Sequence, residues 1–285
     1  RKARLSGSLA MASRPWCFVK QSQRDFDEVK SWPVSQAPKT ACCASPGGFC
    51  YGVGLMSTLF DPQKAPVVAQ DHHLPHVPLD RLTYPALVQR FAQPPIWQPD
   101  MIGDRMVPNG AKVAASVLVP LVMRDQPTVL LTQRQPHLKA HAGQISFPGG
   151  RSEPSDADAI HTALREAQEE VGLHPDRVQI LGTLPSYNTI SGFVVTPVVG
   201  VVDALSHEYP HLGLLPDPGE VAEVFEVPLA FLMNPGHHQR RAVPVPGESI
   251  EFYAMPWTSP DLDREYFIWG ATAAMLRNLY RFLSA

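Results

Sequence analysis

The feature that most constrains this chain is the stretch 156–172, whose two sides have opposite chemistry. Ile160, Leu164, Ala167 and Val171 recur at spacings of four, three and four, the period of one apolar helix face. Glu166, Glu169 and Glu170 differ by three and four and share a face nearly opposite. Ser155 or Asp156 can cap the start, Asp156 and Asp158 suit the positive end of the helix dipole, and Gly172 supplies the stop. Such a helix lays one side on a core and presents a row of carboxylates on the other. Three like charges on one face weaken a helix by roughly a few tenths of a kcal/mol per pair, and Arg165, one turn from Glu169, offsets only part of that. The cluster is either a solvated acidic face or a cation site, because Mg²⁺ prefers carboxylate oxygens together with waters and phosphates.

The exact letters favour the cation site. The string Arg165-Glu166-x-x-Glu169-Glu170-x-Gly172 fixes five residue types, and by chance it arises in on the order of one in ten thousand chains of this length. It also lies downstream of the pair Gly149-Gly150.

The rest of the sequence sets the frame. With 285 residues, 44% of them hydrophobic, the chain has length and apolar content for a buried core. Its longest apolar stretches, Val113–Met123 and Val194–Val202, are interrupted by Ser116, Pro120 and Pro197. Neither approaches the roughly 20 residues of a membrane-spanning helix, so no membrane partner is expected. Residues 1–55 hold eight Lys/Arg against three Asp/Glu, whereas residues 56–285 hold sixteen against twenty-four. An acidic body does not draw nucleic acid through its net field, and phosphates would need a local basic pocket or a bound cation. All four cysteines fall in the first 55 residues, so the body uses neither disulfide nor Cys-ligated zinc, which fits a reducing, cytoplasmic location.

Three segments are expected. Residues 1–55 show no sustained helix or strand period and read as a targeting segment, a disordered tail, or translated sequence upstream of a start at Met56. Residues 56–110, rich in Pro and His, form a segment packing on the core, with one helical stretch at Tyr84–Phe91. Residues 111–285 form the main domain. There, Val113–Met123 and Thr128–Thr132 read as a hairpin, and Val178–Leu184, Val194–Val202 and Val221–Val227 as further strands. Phe267–Leu283 reads as a closing apolar-periodic helix, and His237-His238 with Arg240-Arg241 as a solvated loop. Strands and helices alternate without regular βαβ units, which predicts an α/β fold with a mixed sheet flanked by helices.

The helix motif resembles the signature of the Nudix hydrolases, G-x5-E-x7-R-E-U-x-E-E-x-G-U, where U is a bulky aliphatic residue. Gly150 matches the first glycine and Arg165 through Leu173 the end, apart from Ala167 at the first U. Asp156 stands for the middle glutamate, and one extra residue precedes Arg165. The resemblance implies an α/β/α sandwich with a mixed β-sheet. It implies hydrolysis with Mg²⁺ or Mn²⁺ held by Glu166, Glu169, Glu170 and the carbonyl of Gly150, with Arg165 in the catalytic group. A later acidic ligand is implied too, Glu220 or Glu223.

A second run, Leu130-Leu131-Thr132-Gln133-Arg134, then Lys139, Gly143 and Phe147-Pro148-Gly149-Gly150, resembles the pattern of the coenzyme A pyrophosphatase branch. Lys139 replaces a second Arg, and Gln135 a Ser/Ala. Arg134 can fork onto a phosphate and Lys139 can act as a point charge, while Gly143 and Gly149 serve turns and close substrate approach. Phe147 and Pro148 read as packing. The spacing of His137, His141 and His161 fits no zinc motif, and His161 falls on the apolar side of the helix. The resemblance implies cleavage of coenzyme A or its thioesters. The rivals are another nucleoside diphosphate derivative such as ADP-ribose, and a binding module without turnover. The expected partner is a small-molecule substrate, and a homodimer is allowed.

A chain beginning at Met56 is expected to fold and turn over like the full one. A clear drop in thermal midpoint or in activity on that truncation would show that residues 1–55 are structural.

Overall fold

Eleven consecutive residue pairs join Val113–Met123 to Phe193–Asp203 in parallel, and these two strands form the middle of the larger of two sheets. The computed structural model describes residues 61–104, 112–138, 141–203, 212–245 and 248–285. The expectations for residues 1–55, the start at Met56 and the role of Lys139 lie outside the described residues.

In chain order the elements begin with β1 (Val67–Gln70), α1 (Tyr84–Ala92), β2 (Val113–Met123), β3 (Thr128–Arg134), β4 (Ile145–Ser146) and β5 (Gly149–Arg151). Next come α2 (Ala159–Val171), β6 (Val178–Thr183), β7 (Tyr187–Asn188), β8 (Phe193–Asp203), β9 (Val221–Pro228) and α3 (Leu229–Leu232). The chain closes with β10 (Gln239–Val245), β11 (Glu248–Ser259), β12 (Arg264–Trp269) and α4 (Gly270–Ser284). The larger sheet follows the order β4-β3-β2-β8-β6, with β5 on β2, β7 on β8 and β9 on β3. Every pairing in it except β2–β8 is antiparallel, so the sheet is mixed, and helices cover it.

Strand β2 is apolar on both faces because both are covered. Leu118 and Val122 pack with Ala163, Ala167 and Val171 of α2 on one side. Val119 and Leu121 join Leu276, Leu279 and Phe282 of α4 on the other. Pro120 sits inside this central strand without breaking it. Leu118 donates its N–H to Pro148, and position 120 faces the same edge two residues on. There β5 has ended at Val117 and β3 begins only at Leu121, so the missing donor falls in a gap between partners.

The C-terminal third departs from the expectation. Strands β10, β11 and β12, with β1 at one edge, build a second, antiparallel sheet in the order β1-β10-β11-β12. Arg264–Trp269 pairs residue for residue with Ala254–Ser259, so the closing helix starts at Gly270 and not at Phe267. Gly270, at φ 64, makes the turn from strand to helix. The supposed loop at 237–241 is also corrected: Arg240 and Arg241 lie in β10, and His238 is fully buried.

His238 belongs to a buried cluster that ties three parts of the chain together. Arg277 of α4, itself buried, donates to Asp71 (2.9 Å) and Asp100 (2.7 Å) and lies against the rings of Tyr253 and Tyr280. Beside it, the Asn278 carboxamide accepts from the N–H of Met101 (3.1 Å) and donates to its carbonyl (2.6 Å). His238 shares hydrogens with the Leu232 carbonyl through Nε2 (2.7 Å) and with Arg277 through Nδ1 (3.1 Å). The guanidinium can only donate, so Nδ1 accepts and the ring is the neutral Nε2–H tautomer. Burial, with Arg277 adding to it against the Leu232 carbonyl, pushes the imidazole down to about 4.

Acidification should therefore cost stability at this site. The unfolded ring gains its proton near pH 6.5 and the folded ring only near 4, so stability is fully present above about 6.5 and falls through that window. The expected loss is on the order of 3 kcal/mol by pH 4. Denaturant titrations between pH 4 and 7 should show this slope reduced in His238→Gln; an identical slope in both proteins would contradict it.

Candidate active site

The turn that carries Gly149 and Gly150 lies between a strand and a helix, with no room for side chains. Strand β5 pairs with β2 through Val117↔Gly149 and Ser116↔Gly150. A Cβ at position 149 would stand 2.6 Å from the Val117 Cα, and one at 150 would stand 2.6 Å from the Glu166 carboxyl carbon. Only glycine allows the loop to press on β2 and receive the helix carboxylate at once.

Helix α2 delivers those carboxylates, though its start differs from the expected one. Asp158, and neither Ser155 nor Asp156, is the N-cap, accepting from the His161 N–H at 2.8 Å, and the helix begins at Ala159. Asp156 is engaged elsewhere. It grips Arg165 by two bonds of 3.0 Å and accepts from Thr162 and the Glu153 N–H. The buried apolar line runs through Ala163, Ala167 and Val171, while Leu164 is half-buried and His161 is exposed, the reverse of its expected position.

Arg165 is the hub of the acidic face. Besides Asp156, it reaches Glu166 and Glu169 at 2.9 Å each and the Arg151 carbonyl at 3.0 Å. The Asp156 partnership holds that carboxyl well below the usual carboxylate range and raises the guanidinium. The substitution of Asp for the middle glutamate, with its extra residue, thus preserves a charge that positions Arg165.

The three glutamates occupy different surroundings. Glu169 is exposed. Glu166 is partly buried, and burial raises its carboxyl against the pull of Arg165. Glu170 is buried, accepts from the Gly149 N–H at 3.1 Å, and faces Arg134 Nη1 at 3.5 Å. Burial pushes it up to about 7, opposed by Gly149 and Arg134 and assisted by the charges of Glu220 and Glu166.

Of the two later acids, Glu220 stands by this group, 3.9 Å from Arg134. Glu223 is turned away and held by Arg264 and the Tyr266 hydroxyl, each at 2.6 Å. Gly143, at φ 69, makes a left-handed turn next to His141, and its carbonyl accepts from the Gln133 carboxamide at 3.2 Å. Arg134 lies at the strand end, and its buried Nε has no hydrogen-bond partner among the described residues.

Arg134 and the Gly149-Gly150 turn, which the carboxylates of Glu170 and Glu166 touch from the helix side, border a cavity of about 420 Å³. Gly149, Gly150, Arg134 and Arg151 line one part of it, and Phe193, Ile250, Phe252 and Trp269 another. The sequence reading missed this second wall because it missed β11 and β12; the alternation around Ile250 and Phe252 was the available signal.

As the side chains stand, guanidinium groups and a backbone N–H hold the carboxylates, and among the described residues no three His, Cys, Asp or Glu converge as a metal cluster. The donor set nevertheless suits a hard divalent cation. Glu166 and Glu170 are drawn out of water beside one another and Glu220, a repulsion that raises both carboxyls and that a cation would relieve. Carboxylate oxygens, a neighbouring loop carbonyl and a free arginine donor at a cavity mouth can bind a phosphate chain and orient water against it.

A Nudix-domain profile matches residues 112–246. Over 165 residues the chain is 42% identical to the uncharacterized Nudix hydrolase NudL of Escherichia coli (strain K12), covering 58% of this chain and 80% of the relative. It is 44% identical to NudL of Salmonella paratyphi B over the same coverage. Among solved structures it is similar to a Caenorhabditis elegans Ap4A hydrolase binary complex, at 18% identity and a TM-score of 0.34, over 43% of this chain and 85% of that one.

Replacing Glu169 or Glu170 by Gln should lower kcat by at least about two orders of magnitude with little change in thermal midpoint. Steady-state turnover and melting curves of the two single variants decide it. Near-normal turnover in both would remove these carboxylates from the chemistry.

Proposed function

The chain belongs to the Nudix family and acts on pyrophosphate bonds, and from that premise we propose that its substrate is coenzyme A or an acyl thioester of it. The observation that carries the reading is the meeting of Glu166 and Glu170 with the Gly149-Gly150 turn, which itself lines a cavity together with Arg134. The run from Leu130 to Gly150, with its resemblance to the coenzyme A branch, supports this choice of substrate.

In this proposal Glu166, Glu169, Glu170, Glu220 and the Gly150 carbonyl hold Mg²⁺ or Mn²⁺. Bound there, the cation supplies charge neutralisation for the phosphoryl group and an activated water. Arg165, fixed by Asp156, keeps Glu166 and Glu169 in place. Gly149 and Gly150 let the pyrophosphate approach the backbone, and Arg134 with Lys139 takes the 3′-phosphate. The water oxygen bonds to one phosphorus as the bridging P–O bond breaks. The products are adenosine 3′,5′-bisphosphate and 4′-phosphopantetheine, or its acyl form. A location in the cytoplasm accompanies the reading, supported by the cysteine-free body, and a homodimer is compatible with it.

The test is a two-by-two comparison: enzyme with and without Arg134, substrate with and without the 3′-phosphate. Wild type should favour coenzyme A over 3′-dephospho-coenzyme A by roughly ten- to hundred-fold in kcat/KM, the worth of one charge-assisted contact. Arg134→Ala should shrink that ratio. The ratio is read, not the rate, because Arg134 also faces Glu170. Equal treatment of both forms by wild type, or a preference for ADP-ribose, would leave only the general Nudix activity.

A further inference from the structure

The cavity beside the glycine turn has two unlike parts, and the apolar one says which half of a substrate it accepts. This inference rests on the coenzyme A reading. A coenzyme A pyrophosphate joins a nucleotide, with its ribose, base and extra phosphate, to a branched alkyl alcohol. An ADP-ribose pyrophosphate instead joins two riboses. The two substrates therefore differ in the balance of the non-adenosine side: the pantoyl unit sets a gem-dimethyl carbon beside a single hydroxyl, whereas the terminal ribose brings a ring of hydroxyls that need partners.

Most of the cavity's surface is apolar. Asp104 lines it, but one carboxylate oxygen accepts from the Tyr187 hydroxyl (2.6 Å) and the other from the Ile190 N–H (2.7 Å). Thr272 donates its hydroxyl to the Ile145 carbonyl (3.0 Å), and the hydroxyls of Thr189 and Ser191 bond each other (2.7 Å). Gln144, Ser146, Glu251 and Tyr253 add polar atoms to the lining, and the large apolar side chains are Phe193, Ile250, Phe252, Trp269 and Met275. Phe252 and Trp269 meet edge to face, their centroids 5.4 Å apart, and form a rigid aromatic corner. The cations lie toward the other part, with Arg134 and Arg151 near the glycines. Against these apolar side chains a ribose would strip water from several hydroxyls, whereas a gem-dimethyl carbon would bury apolar surface.

We propose that this apolar part is the subsite for the pantoyl end of the pantetheine arm, and that Phe193, Ile250, Phe252, Trp269 and Met275 set the preference for it over a second ribose. The adenosine 3′,5′-bisphosphate half then lies on the cationic side.

The two reaction products separate the halves. Their affinities are measured by titration calorimetry on the full chain with Mg²⁺, using 4′-phosphopantetheine and adenosine 3′,5′-bisphosphate as probes. Ala274, buried in α4 and lining the cavity, is changed to Leu to fill the space, and Phe252 to Ala to remove the corner. Each variant should weaken 4′-phosphopantetheine at least about tenfold, while adenosine 3′,5′-bisphosphate shifts less than about twofold. That tenfold corresponds to the burial of about two methylene-sized groups. A melting curve checks each variant, and Phe252→Ala carries the test alone if Ala274→Leu does not fold. Coenzyme A hydrolysis by wild type, with variants that weaken the adenosine product instead, both products equally or neither, overturns this assignment alone. A wild type that hydrolyses ADP-ribose and ignores coenzyme A overturns the substrate reading and the subsite with it.

Discussion

The acidic face of α2 depends on one guanidinium. Arg165 is shared among Asp156, Glu166, Glu169 and the Arg151 carbonyl, so a single side chain joins the helix, the loop before it and the strand that ends in that loop. Without it, a cluster of carboxylates would repel across a few ångströms, two of them drawn away from water. With it, the charges are held in fixed positions, and only Glu170 is left to the care of the Gly149 N–H and Arg134. The geometry of the glycine turn follows from the same packing, since Glu166 fills the space that a side chain at 150 would need.

This explains what could be read from the sequence and what could not. The strands β2, β3, β8 and β9 declare themselves because they are dense in Val, Leu and Phe, even where Glu223 and Glu226 interrupt β9. Helix α2 declares itself through two faces of opposite chemistry. Its first turn does not, because the choice of cap is settled by a partner: Asp156 resembles a cap until Arg165, nine residues on, claims both its oxygens. The run at 266–269 fits a strand or a helix equally by periodicity, and pairing with β11 decides it. His238 looked like a member of a polar loop because its partners, Leu232 and Arg277, are brought to it only by the fold. Glu220 and Glu223 are indistinguishable in sequence. They separate once Arg264 and Tyr266 are seen to hold the second.

The second sheet gives the site its depth. A glycine turn and a carboxylate helix alone would make a shallow place for a pyrophosphate, open to water on the side away from α2. Residues from β11, from the end of β12 and from the start of α4 close that side with apolar surface. In the proposed reading, the chemistry and the selectivity of the cavity come from different stretches of chain, one near residues 134–170 and the other near 250–275.

Asn278 shows how far such a wall reaches back into the scaffold. Its carboxamide is chemically a peptide group, and it offers Met101 what a neighbouring strand would: one donor and one acceptor, side by side. A helix side chain thereby performs a β-bridge with Met101, just before the same segment bridges β7 through Gly103 and Asn188. Aspartate has almost the same shape but only acceptors, so at this position it would face the Met101 carbonyl with a negative charge. Because Met101 also lines the cavity, a change of one nitrogen to oxygen in the interior of α4 would be felt at the substrate's side of the molecule as a displaced wall, with no residue of the cavity itself altered.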